Sequence, residues 1–492
     1  FAGFSKRGGF PRFLGGFLSR VFSADGRLLD EPDLECIYAV RQITLLLNKV
    51  LLDCAPTRVE AAFRKYIECE KDVKQHDKSF PNVRDEFHRI SALLFADMFT
   101  RIDFDIFSGN AVPRHGPGST ADRVTANQKY CQTVWTQRLE MVFPALENIL
   151  PSPSYWREAK RVTYLEPGAE IPVRVITVPK TLKTPRIIAI EPTCMQYMQQ
   201  ALLEMFTREV KEDTILYDFI GFDDQSPNQV LAQRGSLYKD LATLDLSEAS
   251  DRVSNQHVRE LFRDHPWLFR AIDASRSRKA DVPGRGVIRL SKYASMGSGT
   301  CFPIEAMVFL TCVFIGIQRY LRRPLTKKDI KSFKGRVRVY GDDIIVPVDM
   351  VPLVVSTLES FGFRVGAHKS YWNGQFRESC GKEYFAGTDV TIVKVRRLLP
   401  KRRADVEELV STVALRNHFY AYGLFKCARY LDSILDKFLD LPYVLPSSPS
   451  LGKHSFFGFS VHRISAATHD PRVRGYAVVP RIPSDPLDDL GA

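Results

Sequence analysis

Four aspartates carry the spacing with most chemical content in this chain. Asp342 and Asp343 stand side by side in VRVYGDDIIVPV (337–348), and Asp245 and Asp251 lie six residues apart in LATLDLSEASDRVS (241–254). Carboxylates that converge on one point repel unless divalent cations lie between them. Mg²⁺ prefers such hard oxygen ligands, typically one or two carboxylates plus substrate phosphates. A pair of these ions does a specific job, in which one lowers the pKa of an attacking hydroxyl and the other stabilises a pyrophosphate leaving group. Taken alone, Asp251 and Ser254 read more plainly as helix-capping residues.

The elements that must position these acids are legible in the same stretches. Val337 and Val339 alternate with Arg338 and Tyr340, the period of a half-buried strand, and Ile344, Ile345 and Val346 form a second apolar run ended by Pro347. Gly341-Asp342 between them predicts a two-residue hairpin turn, because Gly supplies the positive φ such turns need. Asp245 ends a short strand that runs through a Ser-rich turn into a helix. The sharper reading pairs Asp245 with Asp342 and Asp343 across adjacent strands.

Three further stretches keep them company. YASMGSGTCFPIEAMVF (293–309) is a Ser/Gly loop opening into an apolar helix, with Pro303 near its first turn. Gly297 and Gly299 would let backbone approach a ligand closely, and Ser295 and Ser298 could bond ribose hydroxyls, although a Gly-rich helix entry explains the loop as well. IPVRVITVPKTLKTPRIIAIEP (171–192) is two β-rich runs around a basic turn, displaying Arg174, Lys180, Lys183 and Arg186. Such cations suit a triphosphate, or simply a solvated hairpin. FGFRVGAHKS places Lys369 beyond another short strand, where a proton donor to pyrophosphate could sit.

The chain as a whole has 492 residues, 45% apolar and 26% charged, ordinary globular proportions with room for two to four domains. Lys and Arg outnumber Asp and Glu by 69 to 57, giving +12, which suggests a polyanionic partner, nucleic acid before membrane. KVRRLLPKRR (394–403) and RRPLTKKDIKSFKGR (322–336) are candidate walls of a basic channel for nucleic acid, or simply solvated faces. Nine cysteines without a C-x-x-C pair argue for free thiols in a reducing cytosol, against a zinc ribbon or a secreted disulfide frame. The longest apolar stretch, AMVFLTCVFIGI (306–317), is too short to span a bilayer and reads as a core helix, so no membrane partner is expected. The Gly/Phe-rich N terminus, which has no initiator Met, reads as an irregular arm or the start of an incomplete chain.

Residues 28–107 have helical periodicity, and 108–123 is a Gly/Pro/Ser loop expected to expose Arg114 and His115. From 170 to 395 short β-branched runs alternate with helical stretches, an α+β or α/β signature. Beyond 403 the chain turns helical to about 440 and is then punctuated by Pro and Ser.

Basic hairpin, D-x₅-D, Ser/Gly loop with helix, Y-G-D-D and then lysine is the motif order of viral RNA-directed RNA polymerases. More narrowly the chain resembles the replicase beta subunit of the single-stranded RNA bacteriophages, the leviviruses. VPKTLKTPRIIAIEP, ATLDLSEASDRVS, SMGSGTCFPIEAMVF, VYGDDIIVP and FRESCGKEYFAGTDVT (376–391) carry the likeness, joined by RHGPGST (114–120) and weakly by RGYAVVPRIP (474–483). Where related enzymes often read Tyr-Thr after the second loop glycine, this chain has Thr300-Cys301, a hydroxyl displaced by one position.

The resemblance implies an α+β right-hand fold of fingers, palm and thumb with a ferredoxin-like palm sheet and helical N- and C-terminal parts. The expected division is a helical region contributing to the fingers over 1–107 and fingers with the basic hairpin over 108–240. A palm over 241–395, with a fingers insertion at 255–292, and a thumb with the C-terminal region over 396–492 complete it. It further implies Asp245 and Asp342 as principal metal ligands, Asp343 as an auxiliary one, and two Mg²⁺ ions, with Mn²⁺ the alternative. Asp251 with Ser298 would select ribose; Arg174, Lys180, Lys183 and Arg186 would hold the triphosphate; Ser295, Gly297 and Thr300 would line the nucleotide pocket. Lys369 would act as general acid. Implied partners are RNA template and product, ribonucleoside triphosphates, host translation elongation factors Tu and Ts and a ribosomal protein, in the cytoplasm of an infected bacterium. The competing readings are a reverse transcriptase, a narnavirus-like or ourmia-like polymerase and, in another class, a non-catalytic RNA-binding or packaging protein.

Overall fold

Leu241–Ser247 is buried from Leu241 through Leu244 and again at Leu246, and a strand of that kind must be covered on both faces. The computed structural model supplies the cover. It describes residues 4–479 apart from 8–9, 125, 151–152 and 182, so the last residues of 474–483 lie outside the described residues. Two compact units divide these residues. One draws on the chain up to Arg58, on Pro179–Pro185 and on the chain from Thr391 onward; the other comprises Val59–Val178 and Arg186–Val390.

The first unit is built around helices Leu34–Leu45, Val406–Ala421 and Phe425–Leu435. Asp33 caps the first by accepting from the Cys36 amide at 3.0 Å, and Gln42 exchanges two 2.8 Å bonds with the Val393 backbone. Arg416 ties the other two together through Asp432 at 2.9 Å, above a core of Val393, Leu415, Phe419, Ala428 and Leu431. The helical turn expected beyond 403 is therefore present.

The second unit holds the acids. Its elements of interest are α1 (Pro56–His76), β1 (Val173–Val178), β2 (Arg186–Ile190), β3 (Leu241–Ser247), α2 (Asn255–Leu261), β4 (Lys279–Val282) and β5 (Gly286–Arg289). They continue with α3 (Cys301–Leu321), β6 (Arg338–Tyr340), β7 (Asp343–Pro347), α4 (Val351–Ser360), β8 (Arg364–Val365), β9 (Phe376–Ser379), β10 (Lys382–Phe385) and β11 (Thr388–Asp389). The central sheet runs β6-β7-β3-β8, antiparallel throughout. A second sheet runs β2-β1-β4-β5, and β9-β10-β11 form a third.

α3 is the spine of this unit. The apolar run 306–317 proves to be the middle of a 21-residue helix, long and apolar enough by itself to cross a bilayer, which corrects the expectation from the shorter run. It is a core helix for another reason: 89% of its apolar stretch is buried inside the protein. Gly316 marks where α4 crosses it, since a Cβ there would lie 2.7 Å from the Val354 Cα. Residue-scale contact of this kind fixes α3 and α4 beneath the strands that carry the acids.

Candidate active site

The hairpin forms as its sequence predicts. Tyr340 pairs with Asp343, so Gly341 and Asp342 are the two turn residues, and Gly341 has φ +58°. A Cβ on Gly341 would collide with the Phe302 ring, so this position needs glycine for space as well as for conformation. In the other direction Asp343 stands directly opposite Asp245 in the β7–β3 ladder. Directly opposed residues of an antiparallel pair point to one face with Cα atoms about 4.5–5.5 Å apart, and like charges so placed destabilise the sheet. Asp342, exposed at the turn, is the third acid at this end.

The electrostatics record the crowding. Burial, then the neighbouring Asp342 and Asp245 charges, push the Asp343 carboxyl up to about 6. A fourth carboxylate joins them that residue patterns did not single out. Glu378 on β9 is pushed up to about 7 by burial and by Asp343 and Asp245, while its amide reaches the Thr243 hydroxyl at 3.4 Å. Its stretch, FRESC, was legible only as a family signature. Beneath them Glu305 of α3 is buried, its Oε2 has no partner among the described residues, and burial raises its carboxyl to about 8.

Lys369 answers part of this charge. Gly366 and Tyr371 both bond to β3, through the Asp245 carbonyl (2.8 Å) and Thr243 (2.7 and 3.0 Å), and the chain between them loops outward. That loop sets the Lys369 ammonium 2.8 Å from Asp245 Oδ2. Partial burial opposes its charge, but the bond to Asp245 and the surrounding acids hold its pKa above the ordinary lysine value. Among the described residues no three His, Cys, Asp or Glu side chains are gathered on one metal-ligating point.

Asp251 is not a helix cap. Ser254 caps α2, accepting from the Gln256 amide at 2.9 Å, whereas Asp251 Oδ1 accepts from Lys292 Nζ at 3.0 Å and from Ser295 Oγ at 2.9 Å. Lys292 is fully buried, lies 3.5 Å from the centre of the Tyr66 ring and stands 3.7 Å from Glu70. Burial opposes its charge, yet Asp251, Tyr66 and Glu70 more than compensate, so it is held protonated. Tyr66 completes the circuit by bonding Ser295 at 3.0 Å. Both the Lys292 and the Ser295 hydrogen bonds to the Asp251 carboxylate fall on Oδ1.

The Ser/Gly loop serves the protein more than expected. Ser295 holds Asp251. A Cβ on Gly297 (φ +128°) would collide with the Ala189 carbonyl of β2, and one on Gly299 would lie 2.9 Å from Gln200, so the close approach they permit is to the protein itself. Thr300 is buried and bonds the Tyr293 hydroxyl at 2.8 Å; Ser298 lies 3.3 Å from it, with 9% of its surface exposed. The loop also docks on β2, where the Ala189 amide bonds the Met296 carbonyl at 2.8 Å.

The basic hairpin exists, β1 pairing with β2 so that Val178 faces Arg186 and Arg174 faces Ile190. Arg174 reaches the Thr120 carbonyl at 3.4 Å, and its Nε is buried without a partner among the described residues. Arg186 is exposed. Lys180 and Lys183 are exposed on the 179–185 turn, which belongs to the other compact unit. His115 is half-buried rather than exposed, stacked 4.3 Å from Tyr197, and burial lowers its pKa to about 4. Arg114 is exposed and meets Glu204 at 3.1 Å.

Comparison with known proteins adds an independent line. A family model described as RNA replicase, beta-chain, matches residues 167–422. The RNA-directed RNA polymerase subunit beta of Qbeta virus (strain MX1) is 38% identical over 223 residues, 45% of this chain and 35% of that protein. The RNA-directed RNA polymerase beta chain of Enterobacteria phage fr is 33% identical over 252 residues, 51% of this chain and 41% of that protein. The aligned part of the chain thus spans well under half the length of either relative. The in situ structure of BmCPV RNA-dependent RNA polymerase at elongation state aligns with TM-score 0.40 and 10% identity over 67% of this chain and 31% of that one. That likeness is too weak to bear on the fold.

Proposed function

Because the chain belongs to the RNA replicase beta-chain family, we propose that it joins ribonucleoside triphosphates on an RNA template with release of pyrophosphate. The observation that carries this reading is the register that sets Asp245 against Asp343, with Asp342 next to them on the turn. The chain order β3-α3-β6-β7-α4-β8, folded into a sheet ordered β6-β7-β3-β8, supports a ferredoxin-like palm of a right-hand polymerase.

Asp245, Asp342 and Asp343, with Glu378 beside them, fit Mg²⁺ (or Mn²⁺) by donor chemistry, being hard oxygens, and burial followed by the neighbouring carboxylates raises the pKa of Asp343 and Glu378. Bound there, a pair of ions would activate the attacking 3′-hydroxyl and neutralise the leaving pyrophosphate. Asp251 offers its carboxylate to the ribose 2′-hydroxyl. Arg174 and Arg186 on β1 and β2 offer cations to the triphosphate, a role the sequence also suggests for Lys180 and Lys183. Lys369, once released from Asp245, is placed to donate a proton to the departing pyrophosphate.

The test is incorporation of labelled ribonucleotides by the purified chain on homopolymeric RNA with Mg²⁺. Complementary nucleotide should enter, and Asp342→Asn should stop it. Preference for deoxynucleotides would turn the reading to a reverse transcriptase, and RNA binding with no addition under any condition to a packaging protein. Running the assay with and without bacterial extract tests the expected dependence on elongation factors Tu and Ts and a ribosomal protein, and with it a place of action in the bacterial cytoplasm.

A further inference from the structure

Several cations of the basic runs that stand out along the chain are ion-paired in the fold. Arg323 pairs with Asp329 (2.6 Å), Lys327 with Asp97 (2.8 Å) and Lys334 with Asp218 (2.6 Å). In the other unit Arg397 pairs with Glu407 (2.5 Å) and Arg402 with Asp405 (2.8 Å). Four cations without such partners collect elsewhere. Lys71 and Lys74 on α1, Arg259 on α2 and Arg289 on β5 line one cavity of about 620 Å³, and none of the four makes an ion pair among the described residues.

The acids at this cavity are already engaged. Glu70 accepts from the Ser291 and Lys292 amides, Asp77 from the Ser254 hydroxyl, and Asp273 from Arg278 at 2.6 Å. Arg276, buried in the wall, spends its guanidinium on the carbonyls of Tyr293, Leu290 and Lys292 (2.7–3.1 Å), which fixes that wall and adds positive charge to it. The cavity therefore carries uncompensated positive charge in a recess, where the field is focused and phosphate is the complementary group.

A second cavity of about 470 Å³ adjoins the first, sharing Asp77, Gln256 and Arg259, and its character differs. Apart from the shared Arg259 its cations are paired, as in Arg263–Glu260 at 2.6 Å, and it is lined by Phe80, Pro81 and Phe269. Arg259 lies over the Phe269 ring at 5.6 Å, at the junction. Both volumes fall in the ~300–1,000 Å³ range of ligand sites. Unpaired cations followed by a guanidinium–aromatic platform are what a nucleotide chain needs, phosphates on the first and a base on the second.

We propose that this groove between α1, α2 and β5 binds a segment of single-stranded RNA, with phosphates on Lys71, Lys74 and Arg289 and a base against Arg259 and Phe269. The site is separate from the acids of the β3–β7 ladder. A strand is favoured over a free triphosphate because the lining continues past one nucleotide's volume into the second cavity.

The experiment compares the full chain with a Lys71→Gln/Lys74→Gln/Arg289→Gln variant for affinity to a labelled oligouridylate across a salt series. Each phosphate contact to a single strand contributes about 0.7 to the slope of log affinity on log salt, so the variant should lose about 2 from the slope and bind roughly tenfold or more weakly. All three side chains are exposed, so its melting temperature should hold. If it does not, Arg289→Gln alone should remove about a third of that slope change. Unchanged affinity and slope would overturn the proposal. So would a raised KM for UTP with RNA affinity intact, which would give the groove to free nucleotide. The measurement reads RNA affinity and not nucleotide addition, so it stands whichever way the polymerase assay falls.

Discussion

Lys292 Nζ lies 3.0 Å from Asp251 Oδ1, and Lys292 has no exposed surface. An ammonium taken wholly out of water is stable only against such a partner, so the pair holds the Asp251 carboxylate through its Oδ1. Tyr66 and Glu70, from α1, hold the lysine from behind.

Lys292→Met should therefore damage sugar discrimination more than speed. The ratio of kcat/KM for a ribonucleotide over its 2′-deoxy counterpart is expected to fall about tenfold or more, a loss of about 1.4 kcal/mol in selectivity. Stability should drop by on the order of 2 kcal/mol, because Asp251 loses its counter-ion but keeps some solvent. Lys292→Arg, which keeps the charge, should recover part of the ratio. Equal losses on both sugars would mean that the lysine only supports the fold.

Asp342→Asn should reduce nucleotide addition by about 10³-fold, measured as single-turnover extension. The same change removes one like charge beside Asp343, so the melting temperature should stay level or rise. A fall in both would indicate a structural role for the turn.

The raised carboxyls of Asp343 (about 6) and Glu378 (about 7) set a pH dependence with a definite sign. Both bind a proton more tightly folded than unfolded, so their contribution is complete below about pH 4 and is lost as pH rises through 6 to 7. Mg²⁺ competes with those protons, and its stabilising effect should be larger near pH 8 than near pH 5. Thermal melting with and without Mg²⁺ across that range checks this, and a pH-independent increment would count against ligation by these acids.

Gly341→Ala places a side chain at φ +58° against the Phe302 ring. The expected cost is about 2 kcal/mol or more in urea unfolding, with nucleotide addition falling because the turn that carries Asp342 must shift.

The hairpin and its acids were legible because their signals are local, an alternating strand, a Gly-Asp turn and a second apolar run. Pairing Asp245 with the hairpin followed from what converging carboxylates require. Glu378 escaped because its place depends on β9 lying against Thr243, a contact that no neighbouring residue announces. Lys292 escaped because a lysine in RLSKYAS reads as surface, and its burial depends on Tyr66 and Glu70 more than two hundred residues earlier. Charge misled in the same way. Runs such as RRPLTKKDIKSFKGR are conspicuous yet partly paired, while the unpaired cations of the groove are scattered over three separate elements.

α1 lies outside the stretch 167–422 that defines the family, yet it carries the aromatic ring and the acid behind Lys292. A chimera that grafts those residues onto a foreign amino-terminal half would import the reactive aspartates without the backing that aims Asp251. On the role proposed for Asp251, its choice between RNA and DNA building blocks would then follow the donor of the helix rather than the donor of the strands.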